Sequence, residues 1–386
     1  MSAGSVPYCG DMTMSASSFL KADPNGGIPA LFEGRQVRYT FNTRVAIREA
    51  CDLLGLKPGD EVLAPAYNCG SELDPLRHAG LTITLYPVDR KARIDLAGVE
   101  ACISAKTRAV YLTHYFGFIQ PDAAPLRALC DQHGLFLIED CALSLLSGGT
   151  PAEGFSGDIS VFCFYKFFPV LGGGALVINN KNIKGNAVFS NRAPWVLVNK
   201  QRIRLGLGML IGSQRVSALK RTLRKETSLT VDVVQAGLPD MPPHYYFDPR
   251  LRNTGMDFFA SRPLRSFNTA KIIRTRRKNY RIYLNHLSEI DGVEPLFPDL
   301  PNDICPLSVP VLLENRDKVA QALISKGIAA TPWWSGYNQH LNWGKTCADA
   351  RYLKDHTLSL PVHQHLGKLE ISYITTHLQN SISTTA

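Results

Sequence analysis

The sequence predicts an α/β fold organised on a mainly parallel sheet, and three observations carry that reading. Short apolar runs alternate with helical segments of about ten residues between residues 39 and 140, the rhythm of βαβ units. The chain has 386 residues, more than one ordinary core accommodates, so a second lobe or a smaller partner domain is expected. A hydrophobic content of 45% with 19% charged residues is that of a globular protein, not a disordered one.

Residues 1–35 mix Gly, Pro and Ser without periodicity and are read as an irregular arm. Regular alternation begins near Tyr39. Residues 44–54 place Val45, Ala46, Ala50, Leu53 and Leu54 near one helical face, and Lys57-Pro58-Gly59-Asp60 ends that helix in a turn. The run 61–67 reads as a strand, 73–79 as a helix, 81–88 as a strand, 96–103 as a helix, 108–115 as a strand, 121–133 as a helix and 135–140 as a strand. Residues 157–180 then form two apolar runs separated by Lys166 and the glycines Gly172-Gly173-Gly174.

Ligands of a parallel sheet gather beyond the carboxyl ends of its strands, so the residues after each strand are the candidates for chemistry. These are Asn68-Cys69-Gly70, His114-Tyr115-Phe116-Gly117, Asp140-Cys141-Ala142 and Lys166. Lys166 stands among Phe162, Phe164, Tyr165, Phe167 and Phe168, where an ammonium must snorkel, pair or react. Asp140 follows Leu135, Phe136, Leu137 and Ile138, so its carboxylate needs a cationic or N–H partner. Two readings remain at this point: a structural ion pair, or the two poles of a pyridoxal phosphate site. His114 either contacts a cofactor or substrate or closes a loop.

Charge and cysteine usage narrow the class. The formal charge of +9 comes mostly from residues 195–225, which hold Lys200, Arg202, Arg204, Arg215, Lys220, Arg221, Arg224 and Lys225 and no acid. That segment is either a solvated amphipathic helix or a basic surface for an anionic membrane or phosphorylated substrates. No finger, helix-turn-helix or RNA-binding signature accompanies it, so nucleic acid is not expected as a partner. Nine cysteines are scattered without a CxxC pair, which predicts reduced thiols and a cytoplasmic protein, with peripheral contact to the inner face of the membrane as an option through 195–225. Neither a leader nor a membrane-spanning run is expected. His340, His363 and His365 lack a ligand-spaced set around them, so they are read as structural and no metal is expected.

Taken in order, KPGDEVLAPAY (57–67), LIEDCA (137–142), FCFYKFFPVLGGGALV (162–177), RTRRKNY (274–280), SKGIAATPWW (325–334) and LSLPVHQHL (358–366) resemble landmarks of the DegT/DnrJ/EryC1/StrS sugar aminotransferase family. The resemblance runs from about residue 39 to the C-terminus. It implies the type I fold of pyridoxal-phosphate-dependent transferases: a large α/β domain (36–255, including 195–225) and a C-terminal α+β domain (256–386), working as a homodimer with sites at the interface. By position it makes Lys166 the lysine that carries the cofactor as a Schiff base and Asp140 the partner of the pyridine nitrogen. Thr43, Arg44, Asn68, Cys69, Cys163 and His114 become the remaining cofactor contacts, with Arg44 binding phosphate at the start of its helix. Arg262, Trp334 and Tyr115 become substrate contacts, Arg262 reaching the partner subunit's site. Trp333 and Trp334 are otherwise core residues of the smaller domain.

The chain departs from the usual pattern at Cys69, where an aromatic is common, at Leu143, where His or Gln is common, and at Cys163, where the serine stands. The lysine lies two residues closer than usual, and the acid before the last two glycines is missing. The resulting expectation is ping-pong transfer of an amino group from an amino acid, glutamate or glutamine, to a keto sugar carried on a nucleotide. The alternative is a non-catalytic scaffold or regulatory relative. The family's sugar dehydratases are disfavoured because they replace the lysine by histidine.

Overall fold

The computed structural model describes residues 9–12, 27–149, 152–184, 189, 191, 194, 195, 198, 199, 203, 233–235, 238–334, 336–344 and 348–385. The large sheet has seven strands: β1 (Gln36–Thr40), β2 (Glu61–Pro65), β3 (Thr82–Tyr86), β4 (Thr107–Thr113), β5 (Phe136–Asp140), β6 (Ile159–Cys163) and β7 (Gly174–Ile178). Their spatial order is β1-β7-β6-β5-β4-β2-β3. The five from β6 to β3 are parallel, whereas β7 runs antiparallel to β6 and β1 antiparallel to β7. Every residue of β6 and β7 is buried, as expected for strands covered on both faces.

Helices α1 (Thr43–Leu53), α2 (Asp74–His78), α3 (Leu96–Ala101) and α4 (Ala123–Gln132) supply the crossovers. Asn42 caps α1 by accepting the Val45 N–H at 3.0 Å, and Asp95 caps α3 through Gly98 N–H. A small hairpin, β8 (Val233–Gln235) with β9 (Leu238–Pro239), precedes the crossing to the second sheet. That crossing is stitched to the first sheet: Met256 N–H donates to the Tyr39 carbonyl at 3.2 Å and Phe41 N–H to that of Thr254 at 3.0 Å.

Beyond it come the short α5 (Phe258–Ser261), the long α6 (Thr269–Leu287), α7 (Arg316–Ser325), α8 (Ala348–His356) and α9 (Lys368–Thr385). The last four pack around an antiparallel sheet in the order β10-β11-β13-β12, made of β10 (Glu294–Pro295), β11 (Ser308–Leu312), β12 (Thr331–Pro332) and β13 (Thr357–Pro361). One continuous apolar core joins the two sheets. The N-terminal arm is less irregular than its composition implies. Residues Ile28–Phe32 form a 3-10 turn with Ile28, Leu31 and Phe32 buried, and Cys9 is buried against the second lobe, its carbonyl accepting from Ala329 N–H at 2.9 Å. The eight cysteines among the described residues are free thiols. No helix among them is long and apolar enough to cross a membrane. The basic segment 195–225 lies almost wholly outside the described residues.

Candidate active site

The carboxyl ends of β2, β4, β5 and β6 converge with the first turn of α1, because the parallel register places Thr113, Asp140 and Val161 side by side. Asp140 closes β5, only 5% exposed. Its Oδ1 accepts the Ala142 N–H at 2.8 Å and its Oδ2 the Tyr111 hydroxyl at 2.8 Å. Burial raises the Asp140 pKa; the Lys166 ammonium, those two donors and His114 pull against that rise. The carboxylate therefore sits in a poorly hydrated position with one nearby cation, the environment that favours a cationic ring.

Lys166 lies in the turn that leaves β6. Phe167 and Phe168 N–H groups both donate to the Phe164 carbonyl, and Phe164 N–H donates to that of Gly173. The aromatic residues serve this turn more than they surround the ammonium. Phe162 packs edge-on against Phe32 at 5.0 Å, Phe168 packs on Phe267 at 4.8 Å, and Tyr165 is half exposed. Lys166 is half-buried and has no side-chain hydrogen bond among the described residues. Its charge acts on Asp140, Glu72, Cys69 and Cys163. Burial pushes both thiols up, so Cys69 and Cys163 are neutral small walls of the site.

The open N-terminus of α1 lies beside the strand that leads to Lys166. Thr43 is the first residue of α1, and its hydroxyl donates to the Phe162 carbonyl at 3.0 Å. The Thr43 and Arg44 backbone N–H groups have no partner among the described residues, as the first turn of a helix dictates. Gly174 faces them: a Cβ there would lie 2.9 Å from Thr43 N and 2.7 Å from the Phe162 carbonyl oxygen. A buried acid, an adjacent lysine and an open helix N-terminus fit the ring nitrogen, aldehyde and phosphate of pyridoxal phosphate.

Five expected contacts, Asn68 among them, are engaged elsewhere. Arg44 turns its guanidinium to the carbonyls of His244, Tyr245 and Tyr246, at 3.0, 2.6 and 3.0 Å, which leaves the N-terminus of α1 to its backbone N–H groups. His114 is fully buried with both nitrogens engaged: Nε2 donates to Glu139 at 2.9 Å and Nδ1 accepts from Gln120 N–H at 3.0 Å. It closes the loop after β4, and although Cys141 and Glu139 lie near it, it has no lone pair left for a metal. Tyr115 is buried, its hydroxyl donating to the Tyr67 carbonyl at 2.6 Å. Trp334 packs on Tyr67 at 4.8 Å and Tyr115 at 6.2 Å, in the seam between the lobes rather than in an open wall. Arg262 is exposed and makes no ion pair among the described residues.

Asn68 lies under the site loop with its Nδ2 on the Pro65 and Ala66 carbonyls, a backbone brace more than a ligand contact. The sequence reading missed Glu72, a buried acid raised by burial and by Asp140, whose Oε1 accepts Cys69 N–H at 2.8 Å. It also missed Tyr111. An acid five residues after a predicted strand end was the available signal for the first; Tyr111, in a strand that also holds Arg108, Thr113 and Tyr115, carried no local signal.

The fold is that of the type I pyridoxal-phosphate-dependent transferases. Helicobacter pylori PseC, described as an aminotransferase involved in pseudoaminic acid biosynthesis, superimposes with a TM-score of 0.67 over 98% of this chain and 99% of that one, at 17% identity. The family profile for the DegT/DnrJ/EryC1/StrS aminotransferase family matches residues 37–197 and 264–379, and the chain belongs to that family. A GDP-perosamine synthase of Vibrio cholerae is 32% identical over 168 residues, covering 40% of this chain but only 45% of that protein. A UDP-N-acetyl-3-dehydro-alpha-D-glucosamine 3-aminotransferase of Acidithiobacillus ferrooxidans is 24% identical over 353 residues, covering 87% and 82% of the two chains.

Proposed function

We propose that this protein is a pyridoxal-phosphate-dependent aminotransferase that moves the amino group of an amino acid, glutamate or glutamine, to a nucleotide-linked keto sugar. The observation that carries the reading is the buried Asp140 carboxylate facing Lys166 across adjacent strand ends. The nucleotide sugars in the names of the two sequence relatives, a product in the first and a substrate in the second, support the sugar class.

Pyridoxal phosphate held here supplies an aldehyde that takes up the amino group and a ring that draws electrons from the substrate Cα. Asp140 keeps a proton on the ring nitrogen by remaining anionic beside it. Lys166 would hold the group through its aldehyde carbon, and its amine, once released, is the base placed to take and return a proton at the substrate Cα. Thr43 and Arg44 N–H groups would hold the phosphate, and the missing Cβ of Gly174 would leave room for it. Cys69, Cys163 and Glu72 wall the space around Lys166 and exclude water. The two half-reactions proceed in ping-pong order. In a homodimer, the exposed Arg262 contributes an anion contact to the partner copy's site.

The test is the visible spectrum of the purified protein with added pyridoxal phosphate. A yellow band that is absent in Lys166→Ala and bleached by glutamate or glutamine is expected. A colourless wild type that takes up no cofactor would overturn the proposal and leave a non-catalytic relative. Asp140→Ala is expected to bind cofactor but lose transamination by orders of magnitude.

A further inference from the structure

We infer that Tyr111 is the positioning residue for Asp140, its phenol holding the carboxylate in the charged form that receives a cationic ring nitrogen. The inference rests on the cofactor reading above, although its central measurement does not.

The geometry follows from sheet register. Thr113 pairs with Asp140 and Tyr111 with Ile138, and residues two apart on a strand share a face. Tyr111 thus lies one step behind Asp140 on the same side of the neighbouring strand. That is the right separation for a phenol to reach forward to Oδ2, at 2.8 Å. The strand beneath is fixed, since the Tyr111 carbonyl accepts the Tyr86 hydroxyl at 2.9 Å. Both side chains are buried, so no water replaces the bond.

Direction matters as much as distance. A phenol has one proton to give, and burial beside Asp140 pushes the Tyr111 pKa far above its ordinary value, so it stays a donor. A donor favours the ionised carboxylate. The groups facing Asp140 are Lys166 from the turn after β6, Ala142 N–H from its own loop, His114 from the end of β4, and Glu72, a like charge, from the loop after β2. Lys166 changes its bonding during turnover, and His114 is committed to Glu139. Tyr111 and Ala142 N–H are the donors that stay constant. Leu143, three residues after Asp140, has no polar group to add a third.

A hydrogen bond to a charged group is strong enough to change proton affinity by about ten- to a hundredfold. In Tyr111→Phe, the Asp140 titration midpoint is therefore expected to rise by about one to two pH units. The acid limb of pyridoxal phosphate affinity should rise by the same amount. The experiment uses the full-length protein with carboxyl-13C aspartate. Asp140 is followed by NMR in the cofactor-free form, its signal assigned by loss in Asp140→Asn, and cofactor titrations are run across the same pH range. Equal midpoints in wild type and Tyr111→Phe would overturn the inference. A wild type that binds no cofactor would overturn the functional reading and leave the midpoint comparison to decide Tyr111. Should Tyr111→Phe fail to fold, 3-fluorotyrosine placed at 111, a stronger donor, is expected to lower the midpoint, and an unmoved midpoint would overturn the inference equally.

Discussion

Lys354 of α8 donates from Nζ to the Asn68 carbonyl at 2.8 Å, so an ammonium from the second lobe holds the loop that faces Lys166. The rings of Tyr337 and Trp343 cover it at 4.6 and 5.1 Å, and it is buried. The loop it holds carries Cys69 and Glu72. The loop beside Lys166 is therefore set from across the lobe boundary, by a charge with no carboxylate in direct contact among the described residues.

That arrangement predicts a specific pH signature. Burial lowers the Lys354 pKa from 10.5 to about 8, with Arg316 adding to the fall while Cys69, Glu72 and Asp355 oppose it. Between those two values the unfolded chain binds the proton that the folded chain has released, so stability gained from this group rises with pH across that window, by up to roughly 3 kcal/mol. Below pH 8 the cost of burying the charge is carried in full. Urea unfolding of wild type and Lys354→Met across the window is expected to show the difference between them growing in favour of wild type as pH rises. A constant difference would contradict the assignment.

Arg276 of α6 is a second such support, placed directly under the Lys166 turn. It is 1% exposed and donates to Gln364 Oε1 at 3.0 Å and to the Pro306 and Leu307 carbonyls at 3.2 and 2.9 Å. Its Nη2 reaches the Phe167 carbonyl at 3.4 Å, which Gln364 also contacts at 3.2 Å. Burial lowers its pKa to about 10, so it stays charged at neutral pH. Arg276→Met leaves these acceptors unpaired and is expected to cost about 3–5 kcal/mol. Arg276→Lys, which keeps the charge but not the fork, should lose a smaller part of it. Chemical denaturation of the two variants measures both; a loss under about 1 kcal/mol for Arg276→Met would refute the supporting role.

On the proposed reading, Gly174 distinguishes phosphate binding from the chemistry at Lys166. An added Cβ would press on two backbone atoms, the Phe162 oxygen and Thr43 nitrogen, neither of which can turn aside. Gly172 is easier, because its Cβ would meet only the Phe41 oxygen, at 3.3 Å. Gly174→Ala is therefore expected to weaken pyridoxal phosphate at least about tenfold while changing pyridoxal, which lacks the phosphate, much less. Gly172→Ala should change neither by as much. Titrating both ligands into both variants gives the four affinities, and an equal loss for the two ligands in Gly174→Ala would remove the phosphate site from that place.

Much of this site is legible in the amino-acid sequence because burial writes itself into parallel strands. Runs such as ISVFC and GALVI have few alternatives, and a lysine or aspartate at the end of one stands out. Side-chain direction is not legible in the same way. Arg44 is the residue type for a phosphate, but three carbonyls of the 243–246 turn, two hundred residues away, claim its guanidinium. His114 is claimed by Glu139 on the next strand, and Trp334 by Tyr67 and Tyr115. Tyr111 and Lys354 matter through a strand register and a lobe contact that no local pattern encodes. The antiparallel edge strand β1 is hidden for the same reason, since its partner β7 lies well over a hundred residues on.

His363 ties the N-terminal arm to the second lobe. Its Nε2 donates to the Gly10 carbonyl at 2.8 Å and its Nδ1 accepts the His365 N–H at 3.3 Å, the tautomer those two partners require. Burial, with the nearby Arg276 charge, lowers its pKa from 6.5 to about 4, while the Gly10 bond opposes the fall. Between those values the unfolded chain takes up a proton that the folded chain refuses. Stability is then lost as pH falls from 6.5 towards 4, by up to roughly 3 kcal/mol. Protonation also costs Nδ1 the lone pair it gives to His365, which loosens the loop that holds Gly10. Cys9, buried beside Gly10 at 1% exposure, reports this directly. Labelling of Cys9 by a thiol reagent that works in acid is expected to accelerate across that window in wild type. In His363→Gln, which can still donate to Gly10 but does not titrate, the rate should stay flat; acceleration in both proteins would assign the acid sensitivity to another group.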